Sequence, residues 1–502
     1  MTHFTLTQSY AALPERFYAP ASLTPVSSPS LIKLNTPLAQ TLGLDPAWLA
    51  SAEGINMLAG HTMPEGVTPI ALAYAGHQFG HFVPQLGDGR AMLLGDVTDT
   101  SGHVREIQLK GAGRTAFSRR GDGRAALGPV LREYVMSEAM AALGVPTTRA
   151  LAAVRTGERV YREIPLPGAV LARVAASHIR VGTFQFFAAR EDHAGLRLLA
   201  DYARARHYPQ AAQRAMPYLA FLESVITAQA ELVAKWMNLG FIHGVMNTDN
   251  MAISGETLDY GPCAFMEHYD PRTVFSFIDE RGRYAYANQP SMALWDLTRL
   301  AEALLPLLAE EETVAIELAQ NALNQFEAQF QTAYLAGMRA KIGLTHPLAE
   351  DGALVQTLLT AMHKNRLDFT QTFRTLSQTE VMQPTPELAE HTPAVGAQLP
   401  ASHRVVSALA EWLPVWRHRL AQEGAVTPAA RAAAMQAVNP LYIPRNHLVE
   451  DMISKAITQE DDSAFETLLA VTTNPYQEQT GRAQYARPAQ PHEVVEHTFC
   501  GT

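Results

Sequence analysis

The sequence predicts an α+β protein, because segments of strand character come first and segments of helix character follow. Residues 105–110 alternate polar and apolar side chains, which is the period of a half-buried strand. Residues 219–239 carry an apolar stripe at helical spacing, and helix-like segments recur from residue 291 to about residue 470. A chain of 502 residues exceeds one ordinary domain, so about two to four structural units are expected.

Composition and charge narrow the class of partner. The formal net charge of −10 argues against a nucleic acid or an anionic membrane as partner. No apolar run approaches the roughly 18 residues that span a bilayer, and the N-terminus lacks a basic region followed by an apolar core. We therefore expect a cytoplasmic protein. With only two cysteines, Cys263 and Cys500, at most one disulfide can form, and a CxxC metal site is absent.

The N-terminal part combines an extension with a glycine-rich segment. Residues 1–65 are rich in Pro, Ser and Leu, contain a candidate helix at 35–42, and are expected to pack on a larger body. Gly87, Asp88 and Gly89 lie between strand-like segments and predict a hairpin turn. In the alternative interpretation, the glycine backbone approaches phosphates and Arg90 adds a charged donor.

Two histidines nearby, His77 and His81, are four residues apart and could share a metal if they were helical. The glycines at 76 and 80 argue against a helix, and no third ligand is evident in the sequence. We therefore expect a structural role for both.

Lys110 ends the predicted strand, where a lysine can bind phosphates or simply be solvated. A candidate helix at 130–143 carries Glu133 and Glu138, and either could pair with it. Between them, residues 111–128 are rich in glycine and arginine. The surrounding residues 105–132 contain seven Lys/Arg and two acids, which suits either an anion site or a solvated loop.

Arg173 and Arg180 lie in apolar surroundings, where arginines need anionic partners: protein carboxylates or ligand phosphates. Residues 190–215 resemble a linker, and the helix at 219–239 is expected to end at Gly240. Pro384–Pro400 is expected to be a loop, Asn439-Pro440 to break the helices, and residues 485–502 to be a poorly structured tail.

The loop at 240–262 carries the candidate chemistry. Asp249 and Asn250, with Asp259 nine residues later, supply oxygen ligands that suit a divalent metal, although the first two could also form a plain turn. Kinase-like phosphotransferases use a similar spacing after a His-Gly or His-Arg pair. Here His243-Gly244 precedes Val245, which stands in the usual place of the base, so Asp249 is the nearest replacement.

The predicted features follow one another in the order of a kinase-like fold. They are the glycine loop, the strand lysine, the helix glutamate, the long helix, the metal loop and Asp259-Tyr260-Gly261. We therefore predict a protein-kinase-like two-lobed fold with an N-terminal extension and a mostly helical C-terminal region. The expected units are the extension at 1–65, an N-lobe at 66–190, a C-lobe at 191–310, a helical region at 311–485 and a tail at 486–502 that bears Cys500.

The chain resembles the selenoprotein O family, pseudokinase-fold enzymes that transfer AMP from ATP to protein hydroxyls, over nearly its whole length. The matching segments are Tyr74–Gly80, Gln85–Arg90, Gln108–Arg124, Asn247–Met251, Asp259–Pro262, Asn439-Pro440 and Thr498–Gly501.

The resemblance implies that ATP is the substrate, Mg²⁺ or alternatively Mn²⁺ the cofactor, and acceptor proteins with Ser, Thr or Tyr hydroxyls the partners. It also implies that ATP binds inverted relative to ordinary kinases. Asp249 would accept the proton, Asn250 and Asp259 would bind the metal, and Glu133 would pair with Lys110. The residues that would hold the nucleotide are Gly87, Gly89, Arg90, Lys110, Asp122, Gly123, Arg173 and Arg180.

Family members carry selenocysteine or cysteine near the C-terminus, where Cys500 lies, so a regulatory Cys263–Cys500 disulfide is a hypothesis beside a plain buried cysteine at 263. Three functions remain open: a protein AMP-transferase, a kinase-like phosphotransferase and an inactive nucleotide-binding scaffold. The missing acid at 245 disfavours the ordinary kinase. The joint presence of Lys110, Glu133, Asn250 and Asp259 disfavours the scaffold.

Overall fold

The computed structural model describes residues 6–383 and 401–498. It shows a mixed α/β architecture in which an antiparallel sheet in the first part of the chain is followed by helices. The strands are β1 Tyr18–Pro20, β2 Ser30–Leu34, β3 Ile70–Leu72, β4 Gly76–Gln78, β5 His81–Val83, β6 Ala91–Thr98, β7 Val104–Lys110, β8 Ala125–Ala126, β9 Arg149–Tyr161, β10 Pro165–Ala175, β11 Phe241–Ile242 and β12 Ala264–Phe265.

The main sheet has the strand order β1-β3-β6-β7-β10-β9-β2, and β8 pairs with β10. Segments of the N-terminal 65 residues form both of its edges, because β1 pairs with β3 and β2 pairs with β9. The strands β7 and β10 are neighbours at the centre. This register decides which side chains of the two strands share a face.

Helices account for most of the remaining regular structure of the described chain. They are α1 Thr36–Thr41, α2 Pro46–Leu49, α3 Ala52–Leu58, α4 Leu127–Ala142, α5 Val181–Ala188, α6 His193–His207, α7 Pro217–Leu239, α8 Gln289–Leu308, α9 Glu312–Leu323, α10 Phe326–Lys341, α11 Asp351–Lys364, α12 Phe369–Leu376, α13 Thr379–Met382, α14 Ala401–Ala408, α15 Trp412–Ala421, α16 Pro428–Gln436, α17 Asn446–Thr458 and α18 Ser463–Thr472.

The helix α4 is buried around nearly its whole circumference. One face lies on β9 and β10, and another contacts α17 and α18, where Tyr134 meets Phe465 edge to face with ring centroids 5.5 Å apart. Burial on two sides explains why the helix lacks the exposed polar face of a surface helix: even its charged residues Arg132, Glu133 and Glu138 are buried. Its position between two layers fixes Glu133 relative to the sheet.

The helix α7 ends at Gly240, which adopts a left-handed conformation with φ of 71°. This is the usual C-terminal stop of a helix, because glycine has no Cβ to oppose that conformation. The chain then enters β11, whose two residues pair with β12. The candidate loop therefore starts and ends on a short two-stranded ribbon.

The interpretation of residues 190–215 as a linker was wrong. Asp192 caps α6 by accepting a hydrogen bond from the backbone nitrogen of Gly195 at 2.8 Å. Leu196, Leu199 and Ala203 are buried at helical spacing. Three arginines of α6, Arg197, Arg204 and Arg206, interrupt the apolar pattern in the sequence, although Arg206 packs inward and pairs with Asp96 at 2.7 Å.

The predicted hairpin at residues 87–89 was also wrong, because these residues lie in the loop between β5 and β6. A hairpin does form earlier, where β4 pairs with β5. Phe79 and Gly80 make its turn with φ of 50° and 86°. Positive φ at both positions suits the tight turn of a short hairpin.

The end of the described chain is attached to the body although residues 486–498 contain no helix. The Thr498 backbone nitrogen donates to Phe275, and its Oγ1 donates to the carbonyl oxygen of Pro262 at 2.6 Å. Cys263, next to Pro262, is fully buried. Cys500 lies outside the described residues, as does the predicted loop at 384–400, so the Cys263–Cys500 disulfide stays a hypothesis.

Candidate active site

A cavity of 750 Å³ is bounded by the sheet, by α4 and by the loop between β11 and β12. Its lining brings together every residue that the sequence analysis proposed for nucleotide, metal or proton. These residues are Gly87, Gly89, Arg90, Lys110, Asp122, Gly123, Glu133, Arg173, Arg180, Asp249, Asn250 and Asp259. Segments that are far apart in the sequence therefore meet at one place.

Strands β7 and β10 place Lys110 and Arg173 on the same face of the sheet. Arg173 is opposite Gln108 in the register, and Lys110 lies two residues further along β7. Lys110 Nζ donates to Glu133 of α4 at 2.7 Å, and Arg173 Nε donates to the other Glu133 oxygen at 2.8 Å. The glutamate thus joins two cations on the cavity wall.

Glu138, the alternative partner of Lys110, binds elsewhere. Its carboxylate accepts hydrogen bonds from Arg149 at 2.9 and 2.7 Å and from the backbone nitrogen of Ala150 at 2.9 Å. Five positions along a helix turn a side chain by about 140°. Of these two glutamates, only Glu133 lines the cavity.

Asp259 lies among three cations. Its Oδ1 accepts from Arg173 at 2.6 Å and from Lys110 at 3.1 Å, and its Oδ2 is 3.7 Å from Arg180. Burial alone raises the pKa of Asp259, but Arg173, Lys110 and Arg180 outweigh burial and hold that pKa well below its usual value. The carboxylate is therefore charged at neutral pH.

Arg180 immediately precedes α5 and is 3% exposed. Its guanidinium carbon lies 4.3 Å from the ring centroid of Tyr74, and its Nη2 lies 3.6 Å from Asp88 Oδ1. Among the described residues, its Nε has no hydrogen-bond partner. Arg173 and Arg180 therefore pair with protein carboxylates, the first alternative, and both also line the cavity, while phosphate binding stays a prediction.

The loop at residues 87–90 approaches the glycine-arginine loop closely. Gly87 has φ of 95°, and a Cβ atom on it would lie 2.3 Å from the ring of Phe117. A Cβ on Gly89 would lie 3.0 Å from the Phe117 carbonyl oxygen. Glycine at 87 is therefore required both by the backbone conformation and by the packing of Phe117.

The glycine-arginine loop is held by its own polar groups. Asp122 accepts from the backbone nitrogen of Arg124 at 2.9 Å and binds Arg162 at 2.9 and 3.2 Å. Burial raises the pKa of Asp122. The hydrogen bonds from Arg162 and Arg124 lower it by more than burial raises it, so the pKa lies below its usual value. Gly123, with φ of 68°, leaves no space for a Cβ, which would lie 2.1 Å from the carbonyl oxygen of Gly113. Glycine at 123 thus lets the two ends of the loop meet.

Asp249 is a second buried carboxylate in the same cavity; among the described residues it forms no ion pair, although Arg180 is near enough to affect its pKa. Its Oδ2 accepts from Gln78 at 3.2 Å, and its Oδ1 has no hydrogen-bond partner among the described residues. Burial raises the pKa of Asp249 to about 6, against the opposing effects of Arg180 and Gln78. A carboxylate with such a pKa can accept a proton at neutral pH.

Asn250 closes a turn, because its backbone nitrogen donates to the carbonyl oxygen of Asn247 at 2.8 Å. Its side-chain nitrogen donates to Val245 at 3.0 Å, which leaves its amide oxygen as the remaining acceptor. The turn that the sequence analysis considered as the plain alternative therefore exists, and it also lines the cavity. His243 supports the loop from behind by binding the Leu258 carbonyl oxygen at 2.8 Å.

The cavity offers few protein ligands for a divalent metal. Within residues 6–383 and 401–498, no group of three or more His, Cys, Asp or Glu side chains is arranged to hold a metal ion. The amide oxygen of Asn250 and the charged carboxylate of Asp259 nevertheless suit Mg²⁺, which takes few protein ligands and completes its shell with water and phosphate oxygens. The residues present thus fit a metal that enters together with a polyphosphate.

Several lining residues escaped the sequence analysis as site residues: Tyr74, Gln78, Asp88 and Phe117. Tyr74 and Gln78 belong to a segment that stood out only through the family resemblance, and Asp88 lies between the two glycines. Asp88 is buried and accepts from Leu72 and Gln108, both at 3.2 Å. Nothing in the sequence signals the contact of Phe117 with Gly87.

Comparison with known proteins identifies the family of this chain. Residues 1–473 match the family model described as protein adenylyltransferase SelO. The chain belongs to this family. A protein nucleotidyltransferase YdiU of Rhodopseudomonas palustris (strain BisB5) is 59% identical over 500 residues, which cover 100% of this chain and 99% of that protein. One of Bradyrhizobium sp. (strain BTAi1) is 58% identical over 504 residues, with the same coverage.

Membership of the SelO family makes this chain an enzyme of the nucleotidyltransferase class. ATP is the nucleotide that an adenylyltransferase family uses. In the part of the chain that the structure describes, none of the helices is long and apolar enough to cross a bilayer. The cytoplasmic location stays a prediction from the sequence.

Proposed function

We propose that this protein transfers AMP from ATP to Ser, Thr or Tyr hydroxyls of acceptor proteins, with Asp249 as the proton acceptor. The observation that carries the proposal is the division of one cavity into two electrostatic parts. Lys110, Arg173 and Arg180 surround Asp259, whereas Asp249 is a buried carboxylate with a raised pKa that forms no ion pair among the described residues. One part suits phosphates and the other suits a proton.

The cation cluster is the proposed phosphate site. Lys110 is a compact point charge, and the arginines add planar, multidentate donors for phosphate oxygens. The buried Nε of Arg180 has no hydrogen-bond partner in the structure and is available to a ligand. Gly87, Gly89, Arg90, Asp122 and Gly123 are proposed to complete the nucleotide site from the two loops that face each other across the cavity.

Asn250 and Asp259 are the proposed metal ligands, for Mg²⁺ or alternatively Mn²⁺. A bound divalent ion would neutralise charge on the phosphate chain during transfer. Asp259 shares its carboxylate with Lys110 and Arg173 in the structure. We expect these two cations to move towards the phosphates when metal and nucleotide bind, because the nucleotide supplies new anionic partners.

In the proposed reaction, the oxygen of the acceptor hydroxyl forms a bond to the α-phosphorus of ATP. The bond from that phosphorus to the bridging oxygen of the β-phosphate breaks, and pyrophosphate leaves. The hydroxyl proton passes to the Asp249 carboxylate. The cations stabilise the leaving pyrophosphate, because negative charge develops on its former bridging oxygen as the bond to the α-phosphorus breaks.

The proposed architecture is the protein-kinase-like two-lobed fold, with the sheet and α4 in the N-lobe and the loop between β11 and β12 in the C-lobe. The contacts that support it are those from Lys110 to Glu133 and to Asp259. The proposed units remain 1–65, 66–190, 191–310, 311–485 and 486–502. The inverted orientation of ATP also remains a proposal.

The test is to incubate the purified protein with Mg²⁺, an acceptor protein preparation and ATP that is labelled at either the α or the γ phosphorus. The proposal predicts label on protein from α-labelled ATP alone. Label from γ-labelled ATP alone would contradict it and identify a kinase-like phosphotransferase instead. ATP binding without transfer of either label to self or acceptor would favour the inactive scaffold.

A further inference from the structure

The hairpin formed by β4 and β5, residues 76–83, is a separate two-stranded unit beside the main sheet. It overlaps the segment Tyr74–Gly80, which carries part of the family resemblance. None of its residues has been assigned a role in binding nucleotide or metal or in accepting a proton. Gln78 and Phe79 nevertheless line the cavity. The hairpin therefore has a position at the site without an assigned role.

Hydrogen bonds fasten this hairpin to the loop that carries Asp249. The backbone nitrogen of His77 donates to Thr248 Oγ1 at 2.7 Å, and that of Phe79 donates to Asn247 Oδ1 at 2.9 Å. Gln185 of α5 binds both Thr248 Oγ1 at 2.6 Å and His77 Nδ1 at 2.8 Å, which ties the two segments together.

Gly76 allows the hairpin to approach Asp249 directly. A Cβ atom at residue 76 would lie 2.6 Å from Asp249 Oδ1, closer than real Cβ contacts allow. On the other side of the carboxylate, Gln78 Nε2 donates to Oδ2 at 3.2 Å. The hairpin thus contacts both oxygens of the Asp249 carboxylate, Oδ1 through the backbone of residue 76 and Oδ2 through the side chain of residue 78.

We propose that Gln78 is a positioning residue, which fixes the plane of the Asp249 carboxylate so that it can receive the hydroxyl proton. This inference rests on the proposed function of Asp249. The χ2 torsion of an aspartate is broad, so a carboxylate without a fixed donor samples many orientations. Among the described residues, Gln78 is the side chain that donates to Asp249. Placement errors of about 1 Å at a reacting group can slow turnover by about 100-fold.

The decisive variant is Gln78→Met, which keeps the length and most of the volume of the side chain but removes the donor. We expect kcat for AMP transfer to fall about 10-fold while KM for ATP stays close to that of the wild type, and the melting temperature to drop because a buried carboxylate loses a hydrogen-bond donor. His81→Ala is the matched control, because His81 pairs with Gln78 across the hairpin and its side chain is exposed. It is expected to keep wild-type turnover.

A double-mutant cycle with Asp249→Ala shows whether Gln78 acts through the carboxylate. If it does, Gln78→Met changes the residual turnover of Asp249→Ala by less than about twofold. A loss of the same size in both backgrounds, or wild-type kcat for Gln78→Met alone, would overturn the inference.

The same cycle measured on melting temperature tests the contact without any activity. Non-additive shifts support the bond between Gln78 and Asp249, and additive shifts overturn it. Wild-type turnover of Asp249→Ala would refute the proposed base and, with it, the positioning role. If the wild type transfers no α label, the proposed function alone is refuted. The double-mutant cycle on melting temperature then tests the hydrogen bond between Gln78 and Asp249.

Discussion

Arg173 and Asp259 form an ion pair with a nitrogen-oxygen distance of 2.6 Å, and the Arg173 side chain is only 2% exposed. Removing one partner of a buried pair leaves an uncompensated charge, which costs about 3–5 kcal/mol. Glu133 shares Arg173 and also binds Lys110. The cluster is therefore a single electrostatic unit, and its members should respond together to substitution.

The substitution Glu133→Gln tests this unit. It leaves Lys110 and Arg173 with Asp259 as their shared anion, so we expect the two cations to hold Asp259 more tightly and the phosphate site to be disturbed. AMP transfer should fall at least about 10-fold. The measurement is kcat/KM for ATP, with the fraction of folded protein determined by calorimetry.

Glu138→Gln is the matched control, since Glu138 lies on the same helix and binds Arg149 away from the cavity. It should lower the melting temperature but keep kcat/KM per folded molecule. Equal losses of kcat/KM per folded molecule in the two variants would contradict a specific role of Glu133 at the phosphate site.

The substitution Gly87→Ala tests the contact between the two loops. The added methyl would lie 2.3 Å from the Phe117 ring, at a φ of 95° that is strained for alanine. We expect ATP affinity, measured by calorimetric titration, to weaken several-fold. Gly102→Ala is the control, because Gly102 has φ of 84° but a Cβ there meets nothing within 4 Å. If both variants weaken ATP binding alike, backbone strain rather than Phe117 explains the effect.

Acid should destabilise the protein through His207. Its Nε2 lies 2.8 Å from Ser177 Oγ, and burial, with Arg206, lowers the pKa of His207 to about 4. The unfolded chain binds a proton near pH 6.5, whereas the folded chain does so only near pH 4. The free energy of unfolding therefore falls as pH drops through this window, by about 3 kcal/mol in all from this residue, of which about 2 kcal/mol is lost between pH 7 and pH 5.

Denaturant unfolding at pH 7 and pH 5 measures this contribution. The variant His207→Gln should show a smaller loss between the two pH values than the wild type. His103→Gln, at a side chain that is 69% exposed, should keep the wild-type loss. An unchanged pH dependence in His207→Gln would contradict the assignment.

Local sequence patterns were sufficient to predict those features of the fold that depend on a single strand or helix. The period of residues 105–110 predicted β7 with Lys110 at its end, and Gly240 marked the end of α7. The helix that carries Glu133 was also expected, although it begins at Leu127, three residues earlier than predicted. Each of these features depends on neighbours within a few residues.

The remaining features depend on contacts between distant segments. The sequence could not choose between Glu133 and Glu138, because the choice depends on which side of α4 faces the sheet. It could not show Gln78 beside Asp249 or Phe117 on Gly87, because tertiary packing creates both contacts. The helix α6 was missed because arginines interrupt its apolar pattern and its buried face is narrow.

The most direct test of the central claim compares α-labelled ATP transfer by the wild type, Asp249→Asn and Asp259→Ala, with ATP binding measured on the same preparations. The account predicts that Asp249→Asn binds ATP like the wild type but transfers AMP at least about 100-fold more slowly. Asp259→Ala should lose metal-dependent transfer. Wild-type transfer by Asp249→Asn would contradict the account, because the proton would then pass to another group.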